Sequence, residues 1–361
     1  MTARARTPRV AVLLPVYNGA KYIAEAVRSV LTQTFADFEL IVIDDGSTDC
    51  SAEVLEGFSD TRLRVIRFSE NRGLVAALNH GIRESRSELI ARMDADDICM
   101  PTRFERQVDF LDSHPKVALC GTWTRQFGDN SFVRRPPVEA KQIRARMFLG
   151  WAMDHPSIML RRSFLELHDL AYDDDFKHVE DFDLFLRAAE LGDLANLPEI
   201  LLRTRAHAEE TSVVHEIEQV QTEALLLVRV LRKLMPEVTK EEEEFHLQIL
   251  NNPVEVSDLP KVEQWLFRLD QINRDRGQYD ADAFRHELRL QSYRLHAKAI
   301  GPGVAVLTSY WKSFLANRHE FGAREHAALA AEVAFIRLLG VARVCKKRLR
   351  RRQTGKLATK K

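Results

Sequence analysis

Between Leu89 and Pro101 the chain reads LIARMDADDICMP, which sets Asp94, Asp96 and Asp97 directly behind an apolar run of strand character. Carboxylates this close repel one another and lose hydration unless something positive sits among them. Three more polar clusters follow apolar runs: PVYNG at Pro15, DDGSTD at Asp44 and ENRG at Glu70. One such cluster is ordinary turn chemistry, because Asp, Asn and Gly favour turns. Four of them, each at the carboxyl end of a strand, are placed to line one crevice of a parallel sheet.

The elements that hold these clusters follow from periodicity. Val10–Leu14 reads as a strand, and Lys21–Thr32 as a helix through Ile23, Ala26, Val27, Val30 and Leu31. Leu40–Ile43 is a second strand, with Asp49 as the cap of the helix behind it. Leu63–Phe68 is a third strand, Gly73–Arg83 a helix and Leu89–Met93 a fourth strand. A helix over Thr102–Ser113, a strand over Val117–Cys120 and a β-rich stretch from Thr122 to Val133 come next. Glu139–Phe148 is helical, Ser157–Leu160 extended and Asp181–Leu191 helical. This alternation predicts an α/β fold with a mainly parallel sheet. After about His215 the strand signals stop and charged amphipathic segments continue. The expected division is a catalytic domain over 1–210 and a helical region with a basic tail over 211–361, with a soft boundary near Ala208–Val214.

Composition adds bounds. The 361 residues are 45% apolar and 29% charged, ordinary for a globular protein. Lys plus Arg equals Asp plus Glu at 53 each, so net charge points to no partner. Cys50, Cys99, Cys120 and Cys345 are scattered without metal-ligand spacing, which predicts reduced thiols in a cytosolic compartment. The N-terminal MTARARTPRVAVLLPVYNG has too short an apolar run for a signal peptide, and no run is long enough to cross a bilayer.

The ordered set LLPVYN, VIDDGSTD, ENRGLVAALNHGI, MDADD and VEDFDLFLR resembles the family 2 glycosyltransferases with the A-type nucleotide-sugar fold. The likeness runs from about Val10 to His207 and leaves the C-terminal region outside. It implies a Rossmann-like nucleotide-diphospho-sugar transferase fold and transfer of the sugar with inversion at the anomeric carbon. Asp94-Ala95-Asp96 matches the family's Asp-x-Asp motif, which binds a divalent cation, Mn²⁺ or Mg²⁺, bridging the diphosphate. Hard oxygen ligands suit either ion. The expected arrangement has Asp96 on the metal, Asp94 toward the ribose or a metal-bound water, and Asp97 behind them. A helix N-cap ahead of Pro101 accounts for Asp97 alone.

The same likeness implies that Asp44 and Asp45 meet the base, where a carboxylate accepts from a uracil or thymine N3–H. Pro15, Val16 and Tyr17 are expected to line the base and ribose. Arg72, within Asn71-Arg72-Gly73, is either a contact to the base or a phosphate, or part of a helix cap. Glu180-Asp181 matches the family's Glu-Asp motif, with Asp181 as general base and Glu180 as its positioner. An acceptor hydroxyl attacking the anomeric carbon must lose its proton as the bond forms. Two acidic residues at a helix start also simply favour the helix dipole. The likeness also implies that His155, in DHPSIM, and Trp151 fall on the acceptor or sugar side, the other reading being a structural histidine and a core tryptophan. It implies too that His207, in RTRAHAEETS, completes the metal or holds a phosphate, unless it is a structural or surface residue.

The tail RVCKKRLRRRQTGKLATKK has no acidic residue, and Ala327–Arg350 gives an apolar stripe passing into a cationic end. A basic amphipathic helix can lie on an anionic membrane, which suits a lipid-linked saccharide acceptor and a place at the inner face of the membrane. The other reading is a helix packed on the catalytic domain with a solvated tail. No nucleic-acid motif accompanies the charge. Two further classes stay in view. A sugar nucleotidyltransferase needs a glycine-rich phosphate loop that LLPVYNGAKY does not supply. A non-catalytic nucleotide- or carbohydrate-binding module needs neither Asp96 nor Asp181.

Overall fold

The structure, a computed structural model, describes residues 6–129, 131–207, 216–251 and 254–300. The basic helix and tail, with Cys345, lie outside the described residues. Two compact units divide between Val230 and Leu231.

The first unit is built on a nine-stranded sheet in the order β3-β2-β1-β4-β8-β6-β9-β5, with β7 beside β6. Its strands are β1 (Val10–Val16), β2 (Phe38–Asp44), β3 (Leu63–Arg67), β4 (Leu89–Arg92), β5 (Ile98–Cys99), β6 (Val117–Gly128), β7 (Phe132–Arg134), β8 (Met159–Arg161) and β9 (Asp193–Ala206). The helices are α1 (Ile23–Leu31), α2 (Ser51–Glu56), α3 (Leu74–Glu84), α4 (Arg103–Ser113), α5 (Ala140–Met147), α6 (Arg162–Leu167), α7 (Glu180–Leu191) and the first part of α8 (Glu216–Leu234). The α/β fold is the one expected, and the sheet is parallel from β3 to β4. Beyond β4 it is mixed, because β8 runs antiparallel to both β4 and β6.

Every residue of β1 is buried, as befits a central strand covered on both faces. Its proline costs no ladder bond. Leu13 O accepts from Met93 N on the β4 side, and Pro15, two residues on, faces the same way beyond the last β1–β4 pair. Helix α3 approaches the sheet closely at Gly81, where a Cβ would stand 3.0 Å from side-chain atoms of both Ile43 and Leu13.

The fourteen-residue β9 is the element the sequence pattern hides. It runs parallel to β6, and its register jumps from Thr122↔Leu197 to Trp123↔Ile200 and then Thr124↔Leu202. The irregularity around Pro198 and Glu199 breaks the period-two alternation by which strands are read. The helix after β2 also starts differently: Cys50 is its N-cap, while Asp49 sits one residue earlier and accepts Ser51 N–H at 3.0 Å.

In the second unit the rest of α8 is followed by α9 (Lys240–Asn251), α10 (Leu259–Arg276) and α11 (Ala281–Ile300). Leu231, Leu234, Val262, Leu266, Leu269, Phe284 and Leu288 form its buried apolar set. Among the described residues, no helix is long and apolar enough to cross a membrane.

Candidate active site

The carboxyl ends of β1, β2 and β4 come together because their registers align Val16 with Asp44 and Leu13 with Arg92. Asp44 is fully buried; its Oδ1 accepts Ser47 N–H at 2.9 Å. Its Oδ2 accepts no hydrogen bond, although the half-exposed Arg67 stands over it with Nε at 3.3 Å. Asp45 has a different partner set: its two oxygens accept the backbone N–H groups of Arg72 and Gly73 at 2.7 and 2.8 Å. It therefore clamps the ENRG turn to the DDG turn. Arg72 itself is exposed and lies over Phe68, and Asn71 is also exposed. Gly46 makes that clamp fit, since with φ +72° a Cβ there would come within 2.5 Å of Glu70 C.

Of the three residues expected along the base and ribose, Pro15 and Val16 lie in the buried run of β1, and only Tyr17 is half exposed. Asn18 takes a positive φ of 51°, and its Oδ1 accepts Thr48 N–H at 2.8 Å.

In the DADD loop, oxygens of Asp94, Asp96 and Asp97 can lie within 4.8 Å of one another. Each carboxylate has its own partner. Arg92 reaches Asp94 with both terminal nitrogens, and Asp96 Oδ2 lies 2.8 Å from His207 Nε2. Asp97 Oδ1 accepts Arg205 N–H at 2.9 Å. Burial and the nearby Asp94 raise the Asp96 carboxyl, against the pull of His207. Burial, then repulsion from Asp94 and Asp96, lifts Asp97 well above the usual range. Asp97 Oδ2 is buried and accepts no hydrogen bond. A cluster of hard oxygens with excess negative charge and an orphaned lone pair fits a divalent cation.

The Glu180-Asp181 pair occupies the first turn of α7, and both residues are buried. Burial and the adjacent Glu180 raise Asp181 well above the ordinary carboxylate range, while Arg92 opposes the shift. His178, two residues ahead of Glu180, holds a positive φ of 69°. Its carbonyl accepts from Gln219 of α8 at 3.1 Å. Trp151 packs its ring 5.0 Å from Phe182 and hydrogen-bonds Glu223 of α8. His155 is buried, with Nδ1 3.6 Å from Asp181 Oδ2 and Nε2 2.8 Å from the Tyr172 hydroxyl. Burial, with Arg92 nearby, holds its pKa well below the usual imidazole value, so it is neutral.

Three residues outside the motifs join these parts. Arg92 stands between the DADD loop and α7, in electrostatic reach of Asp94, Tyr172 and Asp181. Arg103, fully buried on α4, donates through Nη2 to Arg92 O at 2.8 Å and to Ile158 O at 3.2 Å, tying β4 to the segment after His155. Arg205 lies over Tyr22 and Phe127, each at 4.5 Å, and donates to Asp96 O. The signal for Arg92 was a charge inside an apolar strand; for Arg205 it was an arginine two residues before His207 in RTRAHAEETS.

At the ends of the parallel strands, the acidic DADD loop and the buried Asp181 carboxylate are joined through Arg92, a concentration of charge that belongs to a functional site. Residues 11–168 match the family described as Glycosyl transferase family 2. An uncharacterized glycosyltransferase of Haemophilus influenzae is 32% identical over 229 residues, covering 60% of this chain and 71% of that protein. The amylovoran biosynthesis glycosyltransferase AmsE of Erwinia amylovora is 30% identical over 202 residues, 54% of this chain and 75% of that one. Among solved structures, residues 1–349 of S. aureus TarS in complex with UDP-GlcNAc superimpose with a TM-score of 0.55 at 18% identity, over 81% of this chain and 88% of that one. The chain belongs to the family 2 glycosyltransferases and is an enzyme of that kind.

Proposed function

We propose that the enzyme is a metal-dependent, inverting glycosyltransferase that moves a sugar from a UDP- or dTDP-linked donor to a hydroxyl of a growing saccharide or lipid-linked saccharide. One observation carries this reading: Arg92, held by the first carboxylate of the DADD loop, is also in electrostatic reach of Asp181, so donor-side and base-side carboxylates share one buried cation. AmsE, a relative named for amylovoran biosynthesis, supports a polymer or glycoconjugate product, and the TarS complex supports a UDP-linked donor.

In this reading Asp44 Oδ2 receives the base N3–H once Arg67 moves aside, and Tyr17 offers its ring to the nucleoside. Asp45 keeps the wall of the pocket in place through its two amide bonds. Asp96 with His207 would hold Mn²⁺ or Mg²⁺, with Asp94, oriented by Arg92, on the ribose or a metal-bound water. When bound, that cation supplies positive charge against the departing diphosphate. The acceptor oxygen bonds to the anomeric carbon as the bond to the diphosphate oxygen breaks. Asp181 takes the hydroxyl proton, and a single displacement inverts the centre. Glu180 sets the charge around Asp181, and Trp151 shapes the sugar side. The enzyme acts in the cytoplasm, at the inner face of the membrane when its acceptor is lipid-linked.

The test compares nucleotide binding and turnover on a panel of UDP- and dTDP-sugars with Mn²⁺. Asp96→Ala is expected to lose donor binding. Asp181→Asn is expected to bind donor as the wild type does and to lose about a thousandfold in kcat. Binding without metal and no turnover on any donor would instead make the protein a binding module.

A further inference from the structure

We propose that Asn79, Tyr172 and His155 form a positioning chain that presents one fixed N–H to Asp181. The inference rests on the reading of Asp181 as the base. Asn79 of α3 grips the backbone of Tyr172 at two points: its Nδ2 donates to Tyr172 O at 2.8 Å, and its Oδ1 accepts Tyr172 N–H at 3.1 Å. The buried Tyr172 hydroxyl lies 2.8 Å from His155 Nε2. The other ring nitrogen, Nδ1, faces Asp181 Oδ2 at 3.6 Å. The remaining oxygen, Asp181 Oδ1, accepts Phe182 N–H at 2.8 Å.

The proton positions follow from what each group can do. His155 is neutral and carries one ring proton. An ionised carboxylate only accepts, whereas a phenol can donate or accept. Burial keeps Tyr172 protonated far beyond neutral pH. The arrangement that satisfies both sides has Tyr172 O–H donating to Nε2 and the imidazole proton on Nδ1, toward Asp181. At 3.6 Å the pair is not yet a hydrogen bond, and His155 carries no charge, so no ion pair forms. A closure of a few tenths of an ångström completes it, as catalytic hydrogen bonds tighten in the reacting complex.

An N–H donated to the ionised form lowers a carboxyl's pKa, and its loss raises it. Asp181 is faced by Glu180 from its own helix, Arg92 from β4, Tyr172 from the segment before α7, and His155, with Asp94 behind Arg92. Of these, only His155 presents a neutral N–H that the Tyr172 hydroxyl fixes in orientation.

The first test is ¹⁵N NMR of the histidine ring in the full-length protein. The expected result is an Nδ1-protonated, Nε2-bare tautomer for His155; an Nε2–H tautomer overturns the proposal. The second uses the UDP- or dTDP-sugar that gives the largest thermal shift in a panel. Tyr172→Phe leaves the Asn79 grip intact, so folding is preserved. It is expected to lower kcat about tenfold with unchanged donor KM. It should also move the acid limb of the kcat profile to higher pH. His155→Asn, whose amide nitrogen overlays Nδ1, is expected to keep more turnover than His155→Leu. A Tyr172→Phe acid limb that coincides with the wild-type limb, or equal activity of the two His155 variants, overturns the chain. Asp181→Asn separates the two claims. If that variant turns over normally, the base assignment falls; if it is inactive while the acid limb ignores Tyr172→Phe, only the positioning chain falls.

Discussion

Arg92 holds Asp94 by both carboxylate oxygens, Nη1 at 2.7 Å from Oδ2 and Nη2 at 2.6 Å from Oδ1, from a side chain only 5% exposed. Its position inside an otherwise apolar strand is stabilised from behind by Arg103, which donates to the Arg92 carbonyl. Taking such a charge out of water is unfavourable unless its partners stay in place.

Arg92→Met should therefore leave Asp94, Glu180 and Asp181 with less compensating charge. Because Asp94 is partly exposed, the expected loss is about 2–3 kcal/mol rather than the full value of a buried pair. Urea unfolding measures it. Arg92→Lys keeps the charge but loses the fork, and should fall between the two.

Metal removal gives a second expectation. Chelation should weaken nucleotide-sugar binding about tenfold or more, and His207→Ala should weaken binding in the presence of Mn²⁺ while changing little without it. Calorimetric titration with UDP, with and without Mn²⁺, reads both. Equal affinities throughout would remove the cation from the site.

The pH dependence has a definite sign. In the proposed mechanism Asp181 acts as a base only when ionised, and burial beside Glu180 raises its carboxyl well above the usual range. Turnover should rise with pH through that raised value, giving an acid limb nearer neutrality than an exposed aspartate gives. A kcat profile measured at saturating donor checks it.

Asp97 links the site to stability. Its carboxyl is raised by burial and by repulsion from Asp94 and Asp96, so the fold favours the protonated form. For a group raised in this way, the stabilisation is fully present below the unfolded pKa and lost as pH rises through the folded one. Asp97→Asn imitates the protonated form and can still accept Arg205 N–H. At neutral pH without metal it should raise Tm by a few degrees, roughly 1 kcal/mol, with the gain vanishing in acid. Differential scanning calorimetry across pH tests this.

Gly46→Ala tests the clamp between the turns after β2 and β3. The added Cβ would enter a 2.5 Å space against the Glu70 backbone at a positive φ. The expected result is a loss of about 1–3 kcal/mol and weaker nucleotide binding, as the Asp45 bonds to Arg72 and Gly73 loosen.

Much of this was legible beforehand where local chemistry and fold agree. Strand ends after β1, β2 and β4 could be read because each apolar run stops at a polar cluster. The Glu180-Asp181 pair stood out through its likeness to the family's Glu-Asp motif, while the apolar stripe behind it announced only the helix α7. What escaped were contacts made across long chain separations. Nothing near Asn79 announces a partner at Tyr172, and a tyrosine before α7 looks like ordinary core. The strand β9 escaped because Pro198 and Glu199 interrupt its alternation. The roles of Asp44 and Asp45 could not be divided from their adjacency, since only the three-dimensional turn gives one a buried orphan oxygen and the other two amides.

The jumps in β9 pairing set the phase of the strand against the DADD loop. Arg203 and Arg205 both fall over Phe127, and Arg205 and His207 both meet Tyr22, so Arg203, Arg205 and His207 share one face of the strand. Removing a single residue near Pro198 would advance the strand by one and turn Thr204 and Ala206 to that face instead. The partner that Asp96 finds in His207 is thus set upstream, in the kink around Pro198 and Glu199.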